Sequence, residues 1–186
     1  MAQADGTCAP KGDRRYTLEE WRSWPEGERW ELIDGVAYAM SPSPRVPHQD
    51  VAGELYAEIR AFLKDRPCRV FIAPLDVFLE EDAAEGTVVE PDVLVVCDGN
   101  KIRDDGIHGP PDFVAEVLSE GTAAKDLGAK KELYERAGVK EYWIVHPDTR
   151  SVFRYVREEG RYAPVTEFRR GETAGSVVLS GFTWKA

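Results

Sequence analysis

The sequence predicts an α/β or α+β domain in which helices pack on a mixed β-sheet. Its 186 residues suit one domain and are enough for a hydrophobic core. Helix-like and strand-like patterns follow one another in the order helix, strands, helix, strand. The strand-like runs are almost continuously apolar, which is typical of strands buried on both faces. This order favours a layered fold with helices against the sheet.

The N-terminal half predicts a short helix, a β-hairpin and a long helix. Residues 17–20 have the Thr-x-x-Glu form of a capping box, which opens a short helix that Pro25 ends. Asp34-Gly35 lies between strand-like residues 30–34 and 36–40 and predicts a tight hairpin. A loop is expected at residues 41–47. From residue 48 to about 65, apolar side chains recur at helical spacing: Val51, Leu55, Ile59, Phe62 and Leu63.

The C-terminal half predicts three buried strands, a helix, a fourth buried strand and a hairpin. The three runs cover residues 68–80, 88–97 and 112–119, and Pro74 marks a bend in the first. A helix is expected over residues 122–137, ended by Gly138, and a strand over residues 141–145. Residues 151–156 and 161–166 flank Glu159-Gly160 and predict a hairpin at a sheet edge.

The composition favours a cytoplasmic protein without a membrane segment. No apolar run approaches the ~18–20 residues that span a bilayer, and residues 1–15 lack the apolar core of a secretory signal. We expect residues 1–15 to be a flexible tail and residues 16–186 to form one domain. Cys8, Cys68 and Cys97 are few, odd in number and far apart, and no Cys-x-x-Cys pair occurs, so neither a disulfide framework nor a zinc ribbon is expected. A reducing compartment is the simplest interpretation.

The net charge of −10 counts against broad electrostatic wrapping of a nucleic acid. Nucleic-acid binding is compatible with this charge if some carboxylates hold a divalent metal and a local basic patch or a partner contacts the phosphates.

Glu116 and Asp92 are candidate catalytic carboxylates. Glu116 alternates with Val114 and Leu118 on one strand face, and the opposite face is also apolar. A carboxylate there loses its hydration and needs a cation, a metal or a proton, so a buried salt bridge is the alternative to a catalytic role. Asp92 follows Pro91 at the start of a buried strand. Its alternative is an ordinary solvent-facing aspartate.

Lys130 is the candidate catalytic cation. It shares a helix face with apolar residues, whereas Lys131 is turned by about 100° towards solvent. A buried lysine is rare without an anion. The candidate partners are Asp126, one turn earlier, and Glu116, on the strand that precedes the helix.

An Asp and a Glu on adjacent strands with a Lys beside them suit metal-assisted phosphoryl chemistry. Two carboxylates can hold Mg²⁺ or Mn²⁺, which prefer oxygen ligands. The metal acidifies a bound water, and the ammonium group can orient that water and neutralise developing charge.

Seven short motifs occur together in a fixed order between about Tyr16 and Tyr155, and they resemble the Uma-type restriction endonuclease family of the PD-(D/E)XK nuclease superfamily. The motifs are Glu31-Leu-Ile-Asp-Gly35, Ser41-Pro42 with His48, Pro91-Asp92-Val93, Glu116-Val-Leu-Ser119, Asp126-Leu-x-x-Lys130, Tyr134 and Gly138-Val-Lys-Glu-Tyr-Trp143. The resemblance implies a restriction-endonuclease-like core: a central mixed sheet of about four strands flanked by helices, with divalent metal at the strand ends.

The resemblance also implies roles for individual residues. Asp92 matches the Asp of the Pro-Asp motif, and Glu116 matches the second acidic ligand. The usual lysine position, two residues after that Glu, is Leu118 here, and a lysine on the next helix replaces it, which points to Lys130. Glu31 matches a further acidic residue that holds a second metal, with a purely structural strand Glu as the alternative. His48 also matches, although at the start of a helix we interpret it as a residue of the cap region.

Two segments depart from the family pattern. The chain has Ser119-Glu120-Gly121 where the family tends to have Ser-Pro-Ser, and His146-Pro147 where Asp-Pro is common. Neither change falls on a proposed ligand, but Glu120 is expected to alter the rim of the site.

The leading hypothesis is a Mg²⁺- or Mn²⁺-dependent endonuclease that hydrolyses DNA, with Asp92, Glu116 and Lys130 as its core and Glu31 assisting. One rival is a catalytically idle module of the same fold that binds DNA or a protein, which the acidic charge favours. The other is a hydrolase of small phosphoesters. We also expect a homodimer, because apolar residues of the C-terminal hairpin, Phe153, Tyr155 and Tyr162, would be exposed at a sheet edge.

Overall fold

The structure is a computed structural model that describes residues 12, 14–25, 29–40, 43–79 and 85–186. The expected tail, residues 1–15, lies almost entirely outside this part of the chain, as do Ser41, Pro42 and Glu80. The helices are α1 (Leu18–Arg22), α2 (Val46–Phe62), α3 (Ala123–Leu127) and α4 (Ala129–Ala137). The strands are β1 (Trp30–Ile33), β2 (Val36–Ala39), β3 (Arg69–Ile72), β4 (Val77–Phe78), β5 (Val88–Val89), β6 (Val93–Val96), β7 (Ile102–Arg103), β8 (Gly106–His108), β9 (Phe113–Val117), β10 (Glu141–Val145), β11 (Val152–Glu158), β12 (Arg161–Tyr162), β13 (Thr166–Phe168), β14 (Thr173–Gly175) and β15 (Thr183–Lys185).

The strands form two mixed sheets and a small hairpin. In the first sheet the order is β2-β1-β5-β4-β8-β7, with β4 and β8 parallel. In the second sheet the order is β12-β11-β10-β9-β6-β3, with β9 and β10 parallel and β13 added beside β11. Strands β14 and β15 pair with each other. The predicted mixed α+β architecture is confirmed, although two large sheets stand where one central sheet was expected.

The second sheet is covered on both faces. On one face, Val51, Leu55 and Ile59 of α2 pack with side chains of β6, β9 and β10. On the other face, Leu133 and Tyr134 of α4 join a cluster that also contains residues of the first sheet. Alternate residues of β9 therefore enter different cores, and Glu116 lies on the face that α4 and the first sheet cover.

Both N-terminal turn motifs are confirmed. The Thr17 hydroxyl accepts the Glu20 N–H at 3.2 Å, and the Glu20 carboxylate accepts the Thr17 N–H at 2.9 Å, which completes the capping box of α1. Asp34 and Gly35 have φ angles of 50° and 75° and join β1 to β2 in a hairpin. Helix α2 begins two residues before the predicted start, at Val46.

Two predicted strands are each divided between the sheets. The run at residues 68–80 becomes β3, in the second sheet, and β4, in the first. The run at residues 88–97 becomes β5, in the first sheet, and β6, in the second. The divisions fall around Pro74 and Pro91, whose missing N–H groups cannot continue a ladder.

The predicted helix at residues 122–137 is divided at Gly128. Its backbone there (φ −111°, ψ −97°) is not helical, so α3 ends and α4 begins at this residue. Gly138 ends α4 in the left-handed conformation, as predicted, and its N–H donates to the carbonyl of Tyr134.

The C-terminal hairpin is confirmed, but the predicted exposure of its aromatic residues is wrong. Phe153, Tyr155 and Tyr162 are partly buried and pack against the core on the α4 side of the second sheet. The homodimer that their exposure suggested stays a prediction.

The expectation of no disulfide is also wrong. Cys68 and Cys97 form a disulfide, because they extend the paired strands β3 and β6 and their Cα atoms are 3.9 Å apart. Their separation of 29 residues hid this proximity in the sequence. This disulfide removes the support for a reducing compartment.

None of the helices in the described part of the chain is long and apolar enough to cross a membrane.

Candidate active site

A cavity of about 370 Å³ lies where the first sheet, the second sheet, α2 and α3 meet. All four predicted site residues line it: Glu31, Asp92, Glu116 and Lys130. The structure therefore brings together residues from four separate elements.

Asp92 and Glu116 lie at the same end of one strand pair. Val93 of β6 is paired with Ala115 of β9 in antiparallel register, so Asp92 and Glu116 are the next residues along each strand. The Asp92 Oδ2 accepts the Val117 N–H at 2.8 Å, which fixes the carboxylate across the strand end. Asp92 remains 20% exposed, whereas Glu116 is 4% exposed. The two carboxylates thus occupy the mouth and the floor of the cavity.

Lys130 is buried and bound by carboxylates of both sheets. Its Nζ lies 2.7 Å from Glu116 Oε1, in the second sheet, and 2.7 Å from Glu31 Oε1, in the first. The Asp126 carboxylate is farther, at 3.9 Å. Of the two partners considered for Lys130, Glu116 is therefore the closer one. Tyr134, one turn later on α4, donates its hydroxyl to the same Glu116 oxygen at 2.8 Å.

Glu31 is enclosed by donors. Its Oε1 accepts the Glu90 N–H at 3.0 Å in addition to Lys130, and its Oε2 is paired with Lys125 of α3. In this arrangement the carboxylate holds two lysines in place. Its predicted role as a metal ligand stays a prediction.

Burial and the distances to the two lysines determine the pKa values of the carboxyl groups in the site. Burial would raise the pKa of Glu31, but Lys130 and Lys125 outweigh it and lower that pKa to about 2. Burial raises the pKa of Glu116 to about 8, and the neighbouring carboxylates add to this effect while Lys130 opposes it. Burial likewise raises the pKa of Asp126 to about 6 against the attraction of Lys130. The pKa of Lys130 is raised well above its usual value because its carboxylate partners outweigh burial.

The donor set suits a hard divalent cation. Within the described residues, the contacts of Glu116 fall on Oε1 and those of Asp92 on Oδ2, so one oxygen of each carboxylate remains uncommitted. No group of three or more His, Cys, Asp or Glu side chains in the described ranges is arranged to hold a metal. Mg²⁺ is commonly held by only one or two protein carboxylates, with waters and substrate phosphates completing its shell.

His48 contacts Asp92 rather than capping a helix. Arg45 is the N-cap residue of α2, and the buried His48 directs Nε2 towards Asp92 Oδ2 at 3.2 Å. Burial would lower the pKa of His48, but its hydrogen bond and attraction to Asp92 raise it. His48 is thus a first-turn residue of α2 and not its N-cap, and its side chain lies against Asp92.

Lys125 was missed by the sequence reasoning. It lies on α3, and the break at Gly128 places it against Glu31 although a continuous helix would give it a different direction from Lys130. None of the motifs that carry the family resemblance includes Lys125.

Glu120 is exposed on the rim of the cavity, the place where its departure from the family pattern was expected to act.

Comparisons with known proteins identify the family and the fold of this chain. A family model described as "Uma2: Putative restriction endonuclease" matches residues 18–186. The comparison with curated proteins gives no match. Among solved structures, a "putative nuclease belonging to DUF820" from Anabaena variabilis is similar with a TM-score of 0.72 and 20% identity, covering 89% of this chain and 91% of that one. The structural match shows a shared fold, and the family match supports a nuclease-like function. The chain thus belongs to the Uma2 family.

Proposed function

We propose that this protein is a Mg²⁺- or Mn²⁺-dependent nuclease that hydrolyses phosphodiester bonds of DNA. The observation that carries the proposal is the convergence of Asp92, Glu116 and Lys130 on one cavity, with the lysine 2.7 Å from the glutamate. A purely structural salt bridge would not require a second carboxylate at the mouth of the cavity. It would also not require that this carboxylate keep one oxygen free of contacts with the described residues.

Asp92 and Glu116 would hold the metal through their uncommitted oxygens. A bound divalent ion supplies a more acidic water and a positive charge beside the scissile phosphate. The Val117 N–H and His48 fix the Asp92 carboxylate, and Lys130 with Tyr134 fixes that of Glu116. These contacts orient the two carboxylates in advance, as hydrogen bonds to metal ligands do in known metal sites.

Lys130 would orient the attacking water and stabilise negative charge on the phosphoryl oxygens. Its raised pKa keeps it protonated at neutral pH, so it acts as a fixed positive charge and a hydrogen-bond donor. Glu31 and Glu116 determine where its ammonium group points. In this scheme Glu31 assists by positioning Lys130.

The proposal is tested by cleavage of supercoiled plasmid and labelled duplex DNA with Mg²⁺, Mn²⁺ or EDTA. We expect metal-dependent cleavage that falls at least about 100-fold in Asp92→Asn and in Lys130→Met. Asp112→Asn is a matched control, because Asp112 also follows a proline at a strand start and binds a main-chain N–H, that of Cys97 at 2.7 Å, but does not line the cavity.

Two results would contradict the proposal. Equal cleavage by Asp92→Asn and Asp112→Asn would place the activity elsewhere. Absence of cleavage of DNA and RNA with either metal would rule out a nuclease. Calorimetric titration with Mn²⁺ then distinguishes an idle module from an active small-phosphoester hydrolase, because only a working site would show metal binding that Asp92→Asn and Glu116→Gln remove. Turnover of a nucleotide phosphoester would support the hydrolase.

A further inference from the structure

A groove of about 970 Å³ between the C-terminal part of α2 and strand β3 is strongly basic. Four cationic side chains line it, and no carboxylate is found among the described residues that do so. These cations are Arg60, Lys64, Arg66 and Arg69. In a chain with 34 acidic and 24 basic residues, a groove of this composition is a local reversal of charge.

The four cations are available to a ligand. All four are exposed, and none forms an ion pair with another residue in the described part of the chain. Arg66 and Arg69 lie over the rings of Phe62 and Phe71, at 3.8 and 5.0 Å from the ring centres. Stacking restricts the guanidinium groups without neutralising them.

The groove leads to the candidate active site along two elements. Helix α2 carries His48, in the active-site cavity, and Arg60, in the groove, which are about 18 Å apart along the helix axis. On the other wall, Ile72 lines the groove and the next residue, Ala73, lines the cavity. The groove and the cavity therefore share helix α2 and adjoin at Ile72 and Ala73.

Ordinary structural roles explain only part of this charge. Cations near the C-terminus of a helix are favoured by the helix dipole, which accounts for Arg60 and Lys64. Arg66 and Arg69 lie beyond the end of α2 and gain little from that dipole. The dipole also disfavours carboxylates in the last turn of α2, but it does not act on β3, which forms the other wall of the groove.

We propose that this groove binds the phosphate backbone of duplex DNA and leads it into the active-site cavity. The inference rests on the proposed nuclease function for the nature of the ligand. Duplex DNA carries one negative charge per ~1.7 Å of its axis, so four cations in the groove can neutralise several phosphates. This arrangement would give an acidic protein a binding surface of the opposite sign.

The test is binding of a fluorescein-labelled DNA duplex, followed by anisotropy in EDTA at several salt concentrations. The variant R60Q/K64Q/R66Q/R69Q removes the four charges and retains much of the side-chain packing. The control variant R22Q/R161Q/R170Q/K185Q removes four exposed charges outside the groove. Thermal unfolding of both variants verifies that they are folded.

We expect the groove variant to bind at least about tenfold more weakly and to lower the slope of log K against log salt by about 3–4, while the control variant changes neither quantity. An unchanged groove variant, equal losses in both variants, or no binding by the wild type would overturn the inference. Because binding is measured in EDTA, it is separate from catalysis. Asp92-dependent cleavage with unaltered groove-variant binding would overturn the groove alone, and groove-dependent binding without any cleavage would overturn the nuclease alone.

Discussion

At the scale of single residues, the surroundings of Glu116 are the feature most closely tied to the proposed activity. One of its oxygens receives both the Lys130 ammonium and the Tyr134 hydroxyl, and the whole side chain is buried. A carboxylate without these donors would be held less firmly and would be costly to keep ionised. Tyr134 is thus a positioning residue for Glu116.

Tyr134→Phe removes one of these two donors and leaves Lys130 in place. We expect the free energy of unfolding to fall by about 1–3 kcal/mol and the rate of cleavage to fall roughly tenfold, because the Glu116 oxygen is less well fixed. Urea unfolding and plasmid cleavage measure the two effects. Tyr142→Phe is the control, since its buried hydroxyl donates to the Asp126 carbonyl rather than to Glu116. Equal losses of activity in both variants would contradict the role of Tyr134.

Asp76 predicts a dependence of stability on pH. Its pKa is raised to about 6, first by burial and then by the charge of Glu90. The folded state therefore binds more protons than the unfolded state between about pH 4 and 6, and the contribution of Asp76 to stability falls as the pH rises through this window. Asp76→Asn should unfold at a higher temperature than wild type at pH 7.5, and this gain should disappear near pH 4. The exposed Asp104→Asn is the control. A gain independent of pH would contradict the assignment to Asp76.

At the scale of elements, two glycines show that a substitution inside a helix differs from one at a helix end. Gly53 lies within α2, and Gly138 follows α4 with a φ angle of 97°; a Cβ atom at either position would meet nothing within 4 Å. Any difference between the two sites must therefore come from the backbone rather than from steric contact.

We expect opposite effects of alanine at these positions. Gly53→Ala should raise the free energy of unfolding by about 0.5–1 kcal/mol, because alanine favours the helix and restricts the unfolded chain. Gly138→Ala should lower it by about 1–2 kcal/mol, because an L-residue is strained in the left-handed conformation. Denaturant unfolding of the two variants gives both values. The same sign for both substitutions would contradict the conformation of Gly138.

The elements also show how far local pattern can predict a fold. Helical periodicity was sufficient for α2, and almost continuous apolar runs were sufficient for β9 and β10, which are buried along their whole length. The partition of residues 68–80 between two sheets was not predictable, since Val70 and Val77 are equally apolar and both end up buried. Strands of two or three residues such as β13–β15 have too few positions to form a pattern. The Cys68–Cys97 bond depends on strand pairing, which the sequence did not reveal.

The residues of the candidate site were likewise predictable only where local sequence pattern determines their direction. Helical periodicity predicted that Lys130 is buried, and strand periodicity predicted the same for Glu116. Lys125 could not be predicted, because its direction depends on the backbone break at Gly128. The contact between His48 and Asp92 could not be predicted, because it joins helix α2 to the start of β6, which is distant in sequence.

At the scale of the whole molecule, Lys130 connects the two sheets. Its partners Glu31 and Glu116 lie in the first and second sheet respectively, and all three side chains are at most 4% exposed. Removing the lysine would leave the buried carboxyl groups of Glu31 and Glu116 without their shared cation, which is more costly than the loss of a solvent-exposed charge.

Lys130→Met should therefore lower the free energy of unfolding by about 3–5 kcal/mol. Lys131→Met, the neighbouring substitution, should change it by less than about 1 kcal/mol, because Lys131 is only partly buried and its ammonium group lies over the Tyr155 ring. Chemical unfolding at neutral pH compares the two. Equal destabilisation would show that the bridge between the sheets is not formed.

The position of this lysine has a consequence for the newly made chain. Glu31 is synthesised early, Glu116 and Lys130 much later, and the cluster exists only when both sheets have folded and come together. Until then Lys130 has no fixed direction and Glu116 no fixed partner. A nascent or partly unfolded chain would accordingly lack the arrangement of Glu31, Glu116 and Lys130 on which the proposed activity depends.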